Sequence, residues 1–349
     1  MAIQIAIAGM GTRGREWVRE VRSAPAFNLA ATIEVDPNVL AATARDLDIP
    51  AQRCFTDLET AIEQSRPDAV IVATPADCHK QPVEVTLSHG LAVMVEKPFT
   101  TDLSDAVNLV SLAEQKNVPL LVAQNYRYLR SFRAARRLIA EGTLGSVSLV
   151  NCQYYRPAHD MAASLARLPH SVLWGMGVHH LDALRHALGK EVVNVTAKSF
   201  TRPGGKLPPG ASLQAMLTFE DDARAMYSAS YESSGHEFFE SGQEFYTRFV
   251  GERGTLHIFQ RWLIWCETGK LPRLVRRGPR KETEEQILLG QLERAMLHGE
   301  TAEVSGRDNL QTMAVLEACV RSSADRAGIN PQSLLNEPKQ SQSRAGHRT

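Results

Sequence analysis

Three groups of residues in this chain have the types and spacing to act together. The first is a glycine turn, Gly9-Met10-Gly11-Thr12-Arg13-Gly14, spaced G-x-G-x-x-G directly after the apolar run Ile3–Ala8. In that spacing Gly9 permits a tight turn, Gly11 lets the backbone approach a pyrophosphate, and Gly14 lets the next helix sit close on a sheet. The free amides that open that helix, near Thr12 to Arg15, form an anion site. The second group is Glu96-Lys97-Pro98, which ends the apolar run Ala92–Val95; the third is Gly177-Val178-His179-His180-Leu181-Asp182. The turn points to a dinucleotide and so to hydride transfer. Oxidising an alcohol in this way also requires removal of the hydroxyl proton. An imidazole, with an ordinary pKa of about 6.5, accepts it near neutral pH. A neighbouring ammonium lowers the cost of alkoxide character. His179 and His180 are adjacent on a predicted helix and point about 100° apart. His179 shares a face with Asp182, so His179 is the one expected to face the cofactor.

These groups need elements to hold them. A helical stretch from Arg15 to Ala24 follows the turn, and a second strand, Asn28 to Val35, ends at Glu34. A carboxylate roughly 20 residues past the turn accepts hydrogen bonds from ribose hydroxyls and repels a 2′-phosphate, which favours NAD. Arg13, a guanidinium able to bind a phosphate, leaves NADP possible. Apolar runs at 69–73, 92–95 and 119–123 alternate with helical patterns such as Asp102 to Gln115. That alternation implies a parallel sheet buried on both faces, the doubly wound Rossmann arrangement. The pattern changes near Gln124. A helix at 131–141, a strand at 146–155 and a helix at 174–188 lead into longer strands at 193–200, 213–219, 223–231, 245–250 and 255–259, read as an open antiparallel sheet. Helices return at 284–298 and 307–327. The fold class is therefore α/β, with a nucleotide-binding domain at 1–123, an α+β substrate-binding and oligomerisation domain at 124–336, and a polar tail at 337–349 expected to be disordered.

Composition narrows the function. The 349 residues carry 39 basic and 39 acidic side chains, a formal net charge of zero. Nothing there fits a nucleic-acid partner. The run Arg273 to Lys281 reads as a solvated loop, because Glu282, Glu284 and Glu285 follow at once. The five cysteines, Cys54, Cys78, Cys152, Cys266 and Cys319, are scattered without metal or redox spacing. Together with a start that enters a strand directly, they lead us to expect a cytoplasmic protein with no metal and no membrane span. Trp262 and Trp265 read as sheet packing or an interface. A sheet with one face to cover points to a homodimer or homotetramer.

Two more motifs complete a set. Ala73-Thr74-Pro75 ends a strand, with His79 four residues on, and borders the same crevice as Glu96-Lys97-Pro98. With G-x-G-x-x-G, the late acidic residue, A-T-P-x-x-x-H, E-K-P and H-x-x-D in this order, the chain to about residue 330 resembles the glucose–fructose oxidoreductase / inositol dehydrogenase (Gfo/Idh/MocA) family. The resemblance implies an NAD(P)-dependent oxidation of a secondary hydroxyl on a sugar, cyclitol or related polyol. It implies that Lys97 contacts the reacting hydroxyl and the ribose, that Pro98 shapes its turn through a cis bond, and that Thr74 and Pro75 line the nicotinamide. His79 would fix the following helix beside the cofactor. Asn125, Tyr126 and Arg127 would line the substrate pocket, His179 would be the catalytic histidine, and Asp182 would contact substrate or hold the local geometry. The chain departs from the family at one place: an aspartate often stands four residues before the histidine, and here that residue is Gly175. His159, Asp160, Tyr155 and His180 are candidates to replace it. The departure keeps two other readings open, a cofactor-retaining enzyme that cleaves or epimerises glycosides, and a non-enzymatic dinucleotide or sugar sensor.

Overall fold

A computed structural model of the chain describes residues 2–157, 168–233, 244–259, 262–278 and 282–336. His159, Asp160 and the tail 337–349 lie outside the described residues. The first half forms a six-stranded sheet of β1 (Ile3–Ala8), β2 (Phe27–Ile33), β3 (Cys54–Phe55), β4 (Ala69–Val72), β5 (Ala92–Val95) and β6 (Leu120–Val122), in the order β3-β2-β1-β4-β5-β6. Every pairing is parallel. Helices α1 (Thr12–Ser23), α2 (Pro37–Asp46), α3 (Leu58–Ser65), α4 (Lys80–Ser88) and α5 (Leu103–Lys116) alternate with the strands. β4 and β5 are buried at every position, as strands covered on both faces must be. Asp36, Asp57 and Asp102 cap α2, α3 and α5, each accepting from backbone amides one turn in.

Strand order reverses between β1 and β4, which opens a crevice at the carboxyl ends of the strands. The residues that border it are held by ladder bonds one step beyond each strand. Gly9 N donates to Ile33 O (2.8 Å), Ala73 N to Ala8 O (2.7 Å), Glu96 N to Val72 O (2.8 Å) and Ala123 N to Val95 O (2.8 Å).

The second half forms an eight-stranded sheet of β7 (Val147–Tyr155), β8 (Val192–Phe200), β9 (Ser212–Phe219), β10 (Arg224–Ser230), β11 (Glu244–Gly251), β12 (Gly254–Phe259), β13 (Trp262–Glu267) and β14 (Arg273–Leu274). It is antiparallel except where β10 lies parallel to β7 at its centre. The long crossover a parallel pair needs is supplied by the chain between them, which includes α7 (Val178–Leu188), β8 and β9. One face packs on α7, α9 (Gly306–Asp325) and α10 (Pro331–Leu335). The other leaves Leu149, Met216 and Met226 exposed. α6 (Arg130–Ala140) leads into the sheet. α8 (Glu284–His298) returns to the first half, where Leu288, Leu289 and Leu292 share a core with Ile5, Ile7 and Trp17.

Trp265 is buried in β13, in keeping with sheet packing, while Trp262 on the same strand is half exposed; the strand itself was not among those expected. One sequence reading changes. Arg273 and Leu274, expected in a loop, pair with Trp265 and Ile264 as an edge strand; basic side chains are common on such edges because they discourage further pairing. Residues 279–281 of that run lie outside the description.

Candidate active site

The glycine turn is shaped as its spacing predicts. Gly9 has φ +94°, and a Cβ there would come within 2.7 Å of the Ala73 carbonyl. A Cβ on Gly14 would sit 1.8 Å from Gly9 O, so α1 can approach the turn only as glycine. Gly11 differs, because a Cβ on it would meet nothing within 4 Å. Gly11 also caps α1 without any side-chain bond, which leaves the first helical amides unsatisfied beneath open space. An uncapped helix start under an open glycine is the cradle a pyrophosphate requires, so the residues present fit a dinucleotide.

Glu34 stands just past β2, with one oxygen accepting from Met10 N (2.9 Å) and the other from Asp36 N (3.2 Å). That holds the carboxylate beside the glycine turn, where the ribose belongs. Arg13 does not compete with it for a phosphate. Its guanidinium is taken by three carboxylates, Glu96 at 2.7 Å, Glu16 at 2.5 Å and Glu285 at 3.2 Å. Glu96 and His79, expected at the cofactor, are corrected to supporting roles. Glu96 is buried and accepts from Arg13 Nε and from Trp17 Nε1 (2.9 Å). His79 is buried with Nδ1 2.9 Å from Pro98 O and Nε2 2.9 Å from Thr74 O. The ring ties the A-T-P turn to the E-K-P turn; it faces backbone, not the crevice. Thr74 and Pro75 remain on the crevice side, half-buried and exposed respectively, and Lys97-Pro98 is a cis peptide.

Lys97 leaves the end of β5 and reaches across the crevice until Nζ lies 3.4 Å from Gly175 O. Gly175 belongs to a widened π-type turn, Leu173–Gly177, that runs directly into α7; such turns concentrate at functional sites. The turn and α7 place His179 beside the ammonium. Burial and then the charge of Lys97 hold the His179 pKa well below its ordinary value, so the ring is neutral. Burial likewise lowers Lys97. The His179 ring stacks on Tyr126 at 4.0 Å between centroids and 19° between planes. Its Nδ1 is buried with no hydrogen-bond partner among the described residues. No carboxylate stands one turn away, where Gly175 lies.

His180 points the other way, as the helical spacing predicts. It is fully buried, with Nδ1 2.9 Å from Tyr227 Oη and its ring stacked on Phe245 at 4.9 Å. Burial pushes its pKa down to about 3. Asn125 Nδ2 donates to Glu285 at 3.3 Å.

Arg127, expected to line the substrate pocket, turns into the protein, and Asp182, expected to contact substrate or hold the local geometry, does the second. Arg127 and Asp182 are both buried and bound to each other, Nε to Oδ2 at 2.5 Å and Nη2 to Oδ1 at 2.7 Å. Thr312 Oγ1 adds a bond to Asp182 at 2.8 Å, and Arg127 also donates to Glu303 O at 2.6 Å and to Asp308. Their polar atoms are spent inside the protein, so they brace α7 against α9. Tyr155 donates to Ser228 Oγ at 3.0 Å. Strand alternation places it opposite Tyr154, and it is Tyr154 that lies against His180, with ring centroids 5.0 Å apart. Sequence reasoning did not single out Tyr154 and Phe245, whose rings lie against His180, nor Arg156 and Tyr231, which directly follow β7 and β10. Arg156 hydrogen-bonds Tyr154 through its side chain, and its charge reaches Tyr126 and Tyr231.

Comparison with known proteins agrees with this geometry. Residues 3–124 match the oxidoreductase family with an NAD-binding Rossmann fold, and residues 132–257 match the GFO/IDH/MocA C-terminal domain. The chain belongs to the Gfo/Idh/MocA oxidoreductase family. Among relatives of this Gfo/Idh/MocA member, the D-apiose dehydrogenase of Paraburkholderia graminis is 24% identical over 347 residues, 95% of this chain and 90% of that one. The inositol 2-dehydrogenase of Rhodococcus jostii is 28% identical over 73% of this chain and 68% of its own. An oxidoreductase from Agrobacterium radiobacter, solved with NAD+, L-tartaric acid and magnesium, superposes with a TM-score of 0.85 at 22% identity, over 96% of this chain and 100% of that one. An inositol dehydrogenase homolog from Azotobacter vinelandii, solved with NADH and myo-inositol, gives 0.81 at 21% identity, over 95% and 98%. The chain is thus an NAD-binding oxidoreductase of the dehydrogenase type. Among the described residues no helix is long and apolar enough to cross a membrane, and no cluster of His, Cys, Asp and Glu could hold a metal.

Proposed function

We propose that this chain oxidises a secondary hydroxyl of a sugar, cyclitol or related polyol, with Lys97 and His179 as its catalytic residues. The observation that carries the reading is their convergence from two halves of the chain: Lys97 Nζ reaches Gly175 O, one turn from His179. Gly9, Gly11, Thr12 and Gly14 would hold the pyrophosphate, Glu34 the adenine-side ribose, and Ala73, Thr74 and Pro75 the nicotinamide edge. Bound there, NAD supplies the hydride acceptor. Neutral His179 takes the hydroxyl proton, and Lys97 steadies the negative charge that develops on the same oxygen. Tyr126 fixes the plane of the His179 ring by stacking. The carbon gives up its hydride and becomes a carbonyl; the proton passes from His179 to water.

The names of the relatives support a sugar or polyol substrate, and Glu34 with an occupied Arg13 supports NAD over NADP. The exposed face carrying Leu149, Met216 and Met226 is where we place the contact of a homodimer or homotetramer, and five unpaired cysteines fit a reducing cytoplasm. Purified protein given NAD and a sugar and polyol panel should produce NADH, and Lys97→Ala and His179→Ala should abolish it. A broad panel giving no NADH would refute the dehydrogenase reading.

A further inference from the structure

Helix α6 carries a stripe of arginines. Arg130, Arg133, Arg136 and Arg137 fall on one face of the helix, about 120° wide. Like charges three and four residues apart on a helix repel one another, and the structure does little to quench these. Arg130 donates to Gly278 O and Arg136 to His186 O, carbonyls that carry no net charge. Arg137 has Glu141 at 3.7 Å, with both side chains more than half exposed. Arg133 is exposed, and its side chain has no partner among the described residues.

Two clefts meet on this stripe. One, of about 580 Å³, lies between α6, the last turn of α7 and α8. The other, of about 530 Å³, lies between α6 and the segment that follows β14. Arg133, Arg137 and Glu282 line both. Arg294 enters the first from α8, and Arg276, exposed and without a side-chain partner among the described residues, enters the second. The carboxylates here are fewer than the guanidinium groups and partly taken. Glu300 is 3.2 Å from Arg294, and Glu303 accepts from Tyr128 Oη at 3.0 Å. Glu285, which follows the basic run in sequence, turns away to Arg13 and Asn125. Glu282 is left at the shared rim against Arg133, Arg137 and Arg276. His186, lining the larger cleft from α7, senses the same field: burial and then the charges of Arg127 and Arg136 push its pKa down to about 3.

We propose that this double cleft is a second ligand site, separate from the nicotinamide crevice, and that it takes a small organic phosphate with at least two anionic groups. Guanidinium forks bind phosphate oxygens in pairs. Arg133 and Arg137 leave α6 about 6 Å apart along its axis, and Arg276 and Arg294 approach from opposite sides, an arrangement that suits two anionic groups better than one. Each cleft has the volume of a small-ligand site. A polynucleotide fits less well, because the chain has no net positive charge to attract it. His186 stands seven residues past His179, about 10 Å along α7, so the ligand would lie at the far end of the helix that carries the catalytic imidazole.

The test uses NAD-saturated protein, so that the glycine cradle is filled and cannot bind the added phosphate. Calorimetric titration and thermal shift are run with fructose 1,6-bisphosphate, inorganic phosphate, citrate and fructose. Three proteins are compared: the intact chain, Arg133→Gln with Arg137→Gln, and Arg19→Gln with Lys116→Gln, an equal loss of charge at exposed residues outside the clefts. The bisphosphate should bind the intact chain and raise its Tm, inorganic phosphate should bind more weakly, and fructose should do neither. Added salt should weaken the binding. The Arg133/Arg137 variant should lose about 10- to 100-fold in affinity, the effect of removing charged hydrogen-bonded contacts, while its Tm without ligand is no lower. The Arg19/Lys116 variant should bind as the intact chain does. A bisphosphate that fails to bind, or that binds equally to all three proteins, overturns the proposal. So does an equal loss in both variants, or binding of citrate or inorganic phosphate as tightly as the bisphosphate.

Discussion

Replacing Asp182 by asparagine separates a structural role from a substrate-binding one. The Asp182 side chain is 0% exposed and that of Arg127 is 3% exposed. The pair is bidentate, at 2.5 and 2.7 Å. Asp182→Asn keeps the shape, removes the charge and turns an amide NH2 toward a guanidinium. Breaking a buried pair from one side costs about 3–5 kcal/mol, because the remaining charge is stranded. Asp308 also touches Arg127 and is 33% exposed, so it retains partial compensation and places the expected loss near the low end, about 3 kcal/mol. At about 2–4 °C per kcal/mol, the scale for chains of a few hundred residues, Tm should fall by roughly 6–12 °C. The drop should be the same with and without saturating NAD, since neither residue reaches the cradle. Thermal and urea denaturation measure it. A double variant, Arg127→Met with Asp182→Leu, should be more stable than Asp182→Asn alone, because both members of the pair are gone and the neighbouring buried Arg185 keeps Glu191 and Asp308 as partners. An unchanged Tm with a raised substrate KM would refute the bracing role and return Asp182 to the pocket.

Gly11→Ala should leave Tm unchanged and weaken NAD binding at least tenfold, because its Cβ enters only the cradle, whereas Gly14→Ala should lower Tm, because its Cβ lands on Gly9 O; calorimetric titration with NAD alongside melting curves distinguishes them, and equal behaviour of the two would count against the cradle. Glu34→Ala should raise the NADP-to-NAD ratio of kcat/KM by about tenfold or more through loss of ribose bonds and of phosphate repulsion, as steady-state kinetics with both cofactors would show; an unchanged ratio would sink that assignment. His180 has a folded pKa of about 3 against about 6.5 unfolded, so between these values the unfolded chain binds more protons and stability falls as pH drops below 6.5. At pH 5 that loss is about 2 kcal/mol, and His180→Gln should remove it from the difference between urea melts at pH 7.5 and pH 5. Parallel losses in both proteins would show that His180 is not the group responsible.

The nucleotide half was legible because its signals are local. Apolar runs long enough to be buried on both faces stand between helices with aspartate caps, and the glycine spacing fixes the turn by sterics alone. The second half was legible as strands but not as a sheet: the central parallel pairing of β7 with β10 joins residues far apart in sequence, and no local pattern marks it. The site divided along the same line. Lys97 and His179 were singled out because each sits in a short motif, and the helical angle between His179 and His180 foresaw that their rings part, His179 onto Tyr126 and His180 onto Tyr227 and Phe245. Arg127 was read as pocket lining because sequence cannot show that two charges far apart in the chain will neutralise each other; for Asp182 the sequence left substrate contact and a structural hold both open, and its bonds to Arg127 and Thr312 are the second. Tyr155 was named as a candidate beside the histidines, whereas Tyr154 is the ring that lies against His180. Strand alternation allowed either face, and only the position of α7 decided which one was inside. The acidic neighbours of Arg13 were likewise hidden, since Glu96 and Glu285 come from distant elements.

The account stands on Lys97 and His179 meeting at one reacting oxygen over the nicotinamide. Its most direct test is single-turnover NADH formation in Lys97→Met and His179→Ala, beside calorimetric measurement of NAD affinity in the same proteins. The expected result is a loss of about 10²- to 10⁴-fold in the hydride-transfer rate with the affinity for NAD retained. Turnover at the unmodified rate in either variant would contradict it.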